Sequence, residues 1–265
     1  MSTTPRKPAT ISHQPTFWLG THLPDWLGRA GVPLMISARR LRARRSLPEA
    51  AAPWVIDSGA FTQLKIERRW TWSAAEYAEL VARCAATAGL LQWAAPMDWT
   101  CDRASLAKTG LTVEEHVERT VESYLELTAI APTLPWLPVL QGWTLNHYER
   151  CASLYADAGV DLAAAPVVGI GSLIGRQSIA RVQTFISYWA DQGLRLHAFG
   201  LKGQDLVDSV ERLASVDSMA WSATARYEPP LEGHTHRRCS SCLEFALSWR
   251  ADQLRHAGIA DSSTH

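Results

Sequence analysis

Residues 73–98 read Ser-Ala-Ala-Glu-Tyr-Ala-Glu-Leu-Val-Ala-Arg-Cys-Ala-Ala-Thr-Ala-Gly-Leu-Leu-Gln-Trp-Ala-Ala-Pro-Met-Asp. Ser73 and Glu76 have the spacing of a capping box, in which the hydroxyl accepts from the amide three residues on and the Glu reaches back to the cap. Tyr77, Leu80, Val81 and Cys84 follow at helical spacing, and Gly89 stops the helix after about Thr87. The run Leu91 to Asp98 is then apolar without alternation, as a strand covered on both faces is, and it ends on an acid. A helix followed by a doubly buried strand with a polar tip is the repeating unit of a parallel α/β sheet.

Working outward, strand candidates of the same kind lie at Phe17 to Thr21, Pro33 to Ser37, Trp54 to Asp57, Leu137 to Gln141, Val167 to Gly171, Arg195 to Gly200 and Ser215 to Trp221. Further helices are expected at 112–130, opened by the capping box Thr112-Val-Glu-Glu115 and stopped by Pro132, and at 145–158 and 177–191, ended by Gly159 and Gly193. Eight strands with intervening helices predict a (β/α)8 TIM barrel, and a chain of 265 residues suits one such domain. A doubly wound open sheet is the alternative, because a strand count does not prove closure. The expected layout is a flexible tail at 1–16, a barrel at 17–232, a small C-terminal zinc-binding segment at 233–258 packed on the barrel, and a disordered tail at 259–265.

With 47% apolar and 20% charged residues, the chain can bury a large core, which excludes whole-chain disorder, and 26 basic side chains balance 26 acidic ones. No global field draws the chain to nucleic acid, so any such binding needs a local patch. Five Arg within 39–45 form one such stretch, equally readable as a solvated helix face. No apolar run approaches the length of a membrane span, and Met1 to Pro15 lacks a signal-peptide core, which predicts a cytoplasmic protein without a membrane partner.

In a barrel the strand ends at one rim carry the chemistry. Asp57 ends Trp54-Val-Ile, Asp98 ends the run quoted above, and Gln141 ends Leu137-Pro-Val-Leu. Gly169 and Gly171 finish the sixth strand, and Asp217 lies in the eighth. Taken singly, each acid reads as a helix cap or a salt-bridge partner. Three on one rim repel one another, which separates their proton affinities and leaves one group suited to attack and another to proton transfer. Substitution at an anomeric carbon uses that pairing. Trp18, Trp99, Trp143 and Trp221 fall near the same rim, as ligand platforms or as core fillers.

The five cysteines are an odd count, which argues against a disulfide framework. Cys239 and Cys242 form a CxxC preceded by His234 and His236. Two thiolates and two imidazoles satisfy tetrahedral zinc, and a redox pair is the competing reading. His236 and His256 are the expected imidazole partners, with His234 as the alternative. A closed four-ligand site would be structural and would pin the C-terminal segment to the barrel.

The order Asp57-Ser-Gly-Ala-Phe, Pro96-Met-Asp98-Trp, Val139-Leu-Gln141-Gly-Trp, Val168-Gly-Ile-Gly171, Val216-Asp217-Ser and the Cys/His segment resembles the tRNA-guanine transglycosylase superfamily. Over about 17 to 256 it is most similar to the shorter DpdA-like branch, which exchanges guanine for a 7-deazaguanine in DNA. The resemblance implies that Asp217 attacks C1′ to form a covalent aspartyl-glycosyl intermediate and that Asp57 handles the proton of the leaving or entering base. It also implies that Asp98 and Gln141 read the base edge and that the backbone of Gly169, Ile170 and Gly171 contacts it. The implied set is a structural Zn2+ and no nucleotide cofactor, with DNA (alternatively tRNA), guanine and a 7-deazaguanine base as partners and a homodimer or helper ATPase as further ones. A catalytically silent binding barrel is the non-enzymatic alternative. Candidate phosphate contacts are Arg39, Arg40, Arg176, Arg226, Arg237 and Arg238. Two departures stand out: Ala60 replaces the second glycine of the tRNA enzymes' Asp-Ser-Gly-Gly, and this chain has two cysteines in the metal run where they have three.

Overall fold

A computed structural model describes residues 14–173 and 179–261. Eight strands, β1 (Thr16–Thr21), β2 (Leu34–Ser37), β3 (Trp54–Asp57), β4 (Leu91–Ala94), β5 (Val139–Leu140), β6 (Val168–Ile170), β7 (Leu196–Ala198) and β8 (Leu213–Ser218), form one sheet in the order β4-β3-β2-β1-β8-β7-β6-β5. Every adjacent pair is parallel. At the ends of that order, β4 bridges the segment that leads into β5. Ala94 and Trp136 form a parallel bridge, the Ala94 N–H donates to the Pro135 carbonyl at 2.9 Å, and the Leu137 N–H donates to the Ala94 carbonyl at 2.9 Å.

Every expected strand is present, but several are shorter than their apolar runs. The fourth stops at Ala94 rather than Asp98, and the fifth starts at Val139 rather than Leu137. Pro96 and Pro138 have no N–H for a ladder, which accounts for both limits. The eighth strand ends at Ser218, and Trp221 lies on the next helix.

The helices are α1 (Ala38–Leu41), α2 (Ala60–Glu67), α3 (Ala74–Ala88), α4 (Arg103–Thr109), α5 (Val113–Ile130), α6 (Leu145–Asp157), α7 (Ile179–Asp191), α8 (Gly203–Val207), α9 (Ala220–Thr224) and α10 (Leu243–His256). Both expected capping boxes form, on α3 and α5. Gly159 and Gly193 follow α6 and α7 at φ 78° and 86°, where a Cβ would be strained. The expected start of the latter helix at 177 lies outside the described residues.

Side chains of successive strand residues alternate between two faces. One face packs outward on the helices in two apolar clusters, one around β1–β3 with α3 and α10, the other around β5–β8 with α5, α6 and α7. The other face encloses Trp18, Met35, Val55, Trp93, Ala95, Leu137 and Val139. Trp93 on β4 lies 4.8 Å from His197 on β7, so the sheet curls far enough to bring distant strands together across its interior. A cavity of about 690 Å³ opens at the strands' N-terminal mouth, lined by Pro33, Pro53, Trp136 and Arg195 among others, away from the acids considered next.

Residues 259 to 261, expected in a frayed tail, are packed instead. Ile259 is buried, the Ala260 N–H donates to Gln14 at 2.5 Å, and Asp261 accepts from Arg250 at 2.9 Å. Among the described residues, no helix is long and apolar enough to cross a membrane.

Candidate active site

The polar residues collect at the C-terminal ends of the strands. Asp57 is the last residue of β3, Gln141 follows β5 directly, Gly171 follows β6, Gly200 follows β7 by two residues, and Asp217 is the penultimate residue of β8. Asp98 is carried past the end of β4 by the Ala95-Pro96-Met97 segment. Asp57 shares its face with inward-facing Val55, and Asp217 pairs in register with inward-facing Trp18, so both carboxylates lie on the enclosed side.

Asp98 is almost fully buried and is held from both sides. Its Oδ1 accepts from the Ser58 hydroxyl at 2.6 Å and its Oδ2 from the Gln141 amide at 2.6 Å. The Gln141 carbonyl oxygen in turn accepts from the Ser172 hydroxyl at 2.5 Å, and Ser172 Oγ accepts from the Cys101 N–H at 2.7 Å. Gly171 is needed where it stands, because a Cβ there would overlap the Gln141 carboxamide. Gly59 is equally constrained: its φ of 83° turns the chain from β3 into α2, and a Cβ would sit 2.7 Å from Ser37 Oγ.

Burial raises the proton affinity of Asp57, and the charges of Asp98 and Asp217 raise it further, to a pKa of about 7 from an ordinary 3.8. Hydrogen bonds from the Gly59 backbone and the Ser37 side chain oppose the rise without cancelling it. Asp98 is also raised, by burial, against the lowering effect of Ser58 and Gln141. Three acids therefore meet at this rim: Asp57, which holds a proton to about neutrality, Asp98, buried in a hydrogen-bonded clamp, and Asp217, whose Oδ1 accepts from the Gly200 N–H at 2.8 Å.

The structure brings together Asp57, Asp98, Gln141, Gly171 and Asp217. Alternation sends the Ile170 side chain into the outer apolar cluster, and Gly169 packs against Phe199, Val139 and Leu137 below the rim. The N–H groups of Gly169 and Gly171 donate to the Pro138 and Leu140 carbonyls, so the amides expected to contact a ligand are engaged in the sheet. Among the tryptophans, Trp18 and Trp221 are core; Trp221 donates to the Gly20 carbonyl at 2.7 Å and stacks on Trp26. Trp143 is half-buried beside Arg103, and Trp99 is buried under Arg119. Of the candidate phosphate contacts, Arg39 is tied to Gln63 at 2.6 Å, whereas Arg40, Arg226, Arg237 and Arg238 are exposed and Arg176 lies outside the described residues. Ser58, Ser172, His197 and Ser215 belong to the site but were not expected from the sequence. Ser58 carried a signal in its place between Asp57 and Gly59.

The second cluster joins His234, His236, Cys239 and Cys242, whose ligating atoms lie within 4.8 Å of one another. His256 is a correction: it ends α10, exposed, with Nδ1 2.6 Å from the Asp252 carbonyl, and His234 fills the place expected for it. Cys242 caps the 14-residue α10 at the opposite end, and 14 residues of helix are about 21 Å. Zinc bonds of about 2.0–2.3 Å make a tetrahedron with edges of about 3.3–3.8 Å. Four of the six edges are 3.3 Å between His234 Nδ1 and His236 Nε2, 3.1 Å from His236 Nε2 to Cys239 Sγ, and 3.7 Å from His234 Nδ1 to each sulfur, and all six lie within 4.8 Å. The donor set and spacing fit a metal ion. Glu244 lies 2.6 Å from the remaining nitrogen of His234, where an outer carboxylate orients a ligating imidazole.

Acids and a carboxamide converging on the C-terminal rim of a parallel eight-stranded sheet are the layout of an α/β enzyme site. The chain belongs to the DpdA family (DeoxyPurine in DNA protein A), whose model matches residues 13–263. No curated protein matches it at a significant level.

Proposed function

We propose that the protein is a (β/α)8-barrel transglycosylase that replaces guanine in DNA with a 7-deazaguanine base. Family membership supports the DNA substrate and the base class, and the bridge between Ala94 of β4 and Trp136, just ahead of β5, supports a closed barrel. The observation that carries the chemistry is the convergence of Asp57, Asp98 and Asp217 at one strand-end rim, where burial and the charges of Asp98 and Asp217 raise the proton affinity of Asp57 to a pKa of about 7.

In this reading the target nucleotide leaves its stack to reach the rim. Asp217 attacks C1′ as the bond to the base breaks, and Asp57 gives the departing guanine its proton. The sugar stays on Asp217 while the incoming base takes guanine's place, and the reverse displacement returns a proton to Asp57. The glycosidic bond energy is conserved, so no nucleotide cofactor is required. Asp98 and Gln141 read the base: each Asp98 oxygen retains a lone pair for the N1–H and amino group of guanine, and the second Gln141 amide N–H addresses the carbonyl. Rigid clamping by Ser58 and Ser172 favours a base with that full pattern, since a mismatched edge leaves buried groups unpaired. His234, His236, Cys239 and Cys242 would hold a structural Zn2+ that orders the segment before α10. Arg40, Arg226, Arg237 and Arg238 are the phosphate contacts.

Incubation of the protein with labelled guanine or 7-deazaguanine and either DNA or tRNA tests the proposal. Label in DNA that is lost in Asp217→Asn supports it. Label in tRNA alone moves the same chemistry to RNA, and DNA binding without exchange leaves only a binding module.

A further inference from the structure

His197 sits at the centre of β7 on the enclosed face, fully buried between Trp93 at 4.8 Å and Phe199 at 4.5 Å. Its Nδ1 lies 2.9 Å from the hydroxyl of buried Ser215. Its Nε2 has no hydrogen-bond partner among the described residues and faces Asp217 Oδ1 at 3.5 Å. If the Ser215 hydroxyl donates to Nδ1, the ring N–H resides on Nε2 and points at the carboxylate. That oxygen already accepts from the Gly200 N–H at 2.8 Å. Gly200 N–H thus donates to Oδ1, His197 Nε2 approaches the same oxygen without a formed hydrogen bond, and Oδ2 has no donor among the described residues.

We propose that His197 is a positioning residue that, with Gly200, ties down Oδ1 of Asp217 and leaves Oδ2 as the oxygen that bonds to the sugar. The inference rests on the transglycosylase reading above. In the first half-reaction the Oδ2–C1′ bond forms as the C1′–N9 bond breaks, and the electron pair leaves with guanine, which takes its proton from Asp57. The second half reverses these changes with the incoming base. His197 gives up no proton in either half. A tethered Oδ1 fixes the carboxylate plane, and closing the 3.5 Å gap as the carboxylate leaves C1′ stabilises the returning charge.

The test is single-turnover formation of a denaturation-stable protein–DNA adduct on guanine-containing DNA, measured with the full chain. His197→Phe keeps a flat ring and removes the N–H; it is expected to slow adduct formation about 10- to 100-fold while half-saturating DNA changes less than about twofold. His197→Gln restores an N–H and is expected to recover most of the rate, which a purely space-filling role would not predict. Ser215→Ala frees the ring's orientation and is expected to cost about 3- to 10-fold. A His197→Phe rate within twofold of wild type, or no recovery in His197→Gln, overturns the proposal. If His197→Phe does not fold, an unchanged rate in Ser215→Ala overturns it. Wild-type protein that forms no adduct and incorporates no label refutes the transglycosylase reading instead.

Discussion

Replacing Asp57 by asparagine is expected to stabilise the fold at alkaline pH while removing its proton-transfer group. The native carboxyl has a pKa of about 7 against 3.8 for its ordinary value, because burial and two neighbouring carboxylates penalise its charge. At about 1.36 kcal/mol per tenfold change in proton affinity, that rise amounts to about 4 kcal/mol of destabilisation once Asp57 is ionised. The side chain borders the open rim, where solvent screens part of the penalty, so about 2 kcal/mol is the working expectation. The native state holds this proton to a higher pH than the unfolded chain does. Stability from protonated Asp57 is therefore complete below about pH 4, is lost as pH rises to about 7, and levels off above. Urea denaturation of wild type and Asp57→Asn at pH 4, 5.5 and 8 reads the difference directly. The expected gain grows from near zero at pH 4 to about 2 kcal/mol at pH 8. A variant no more stable than wild type at pH 8, or a gain independent of pH, would refute the assignment of Asp57 as a charge-frustrated group.

Base exchange under single-turnover conditions is expected to fall on the alkaline side with a midpoint near 7, as Asp57 loses the proton it would deliver, and a flat profile from pH 6 to 9 contradicts that role. Gly171→Ala drives a methyl into the Gln141 carboxamide, which is expected to cost about 1–3 kcal/mol of stability and to abolish guanine exchange; thermal melting and the exchange assay check both. Purified protein is expected to carry one zinc per chain by elemental analysis. Cys239→Ser should lose the metal and melt several degrees lower, whereas His256→Ala should keep it, and a metal-free His256→Ala protein would restore the ligand set expected from sequence.

Much of this architecture can be read from residue order. Asp57 and Gln141 each end an apolar run that cannot continue into the next helix, so their place at the strand tips follows from the pattern. Asp98 was legible as an acid at the rim, but not the Pro96 break that swings it beyond the strand into its clamp. His256 misled because spacing along the chain suits a CxxC partner only if the intervening residues turn back, and here they form an unbroken helix. The backbone of Gly169, Ile170 and Gly171 is expected to contact the base, yet the amides of Gly169 and Gly171 are taken by the parallel ladder. His197 gave no signal because a single histidine within Leu196-His197-Ala198 reads as strand filler; only the curl of the sheet, which brings β7 and β8 side chains together with Trp93, shows what it faces.

The central claim is that Asp217 becomes covalently joined to the sugar of a deoxyguanosine in DNA while Asp57 manages the proton of the base. Denaturing the protein during turnover on a guanine-containing oligonucleotide and sequencing the linked peptide by mass spectrometry tests it most directly. The account predicts a deoxyribose-linked oligonucleotide on Asp217, absent in Asp217→Asn together with base exchange. Continued exchange by Asp217→Asn, or an adduct on a different residue, would contradict it.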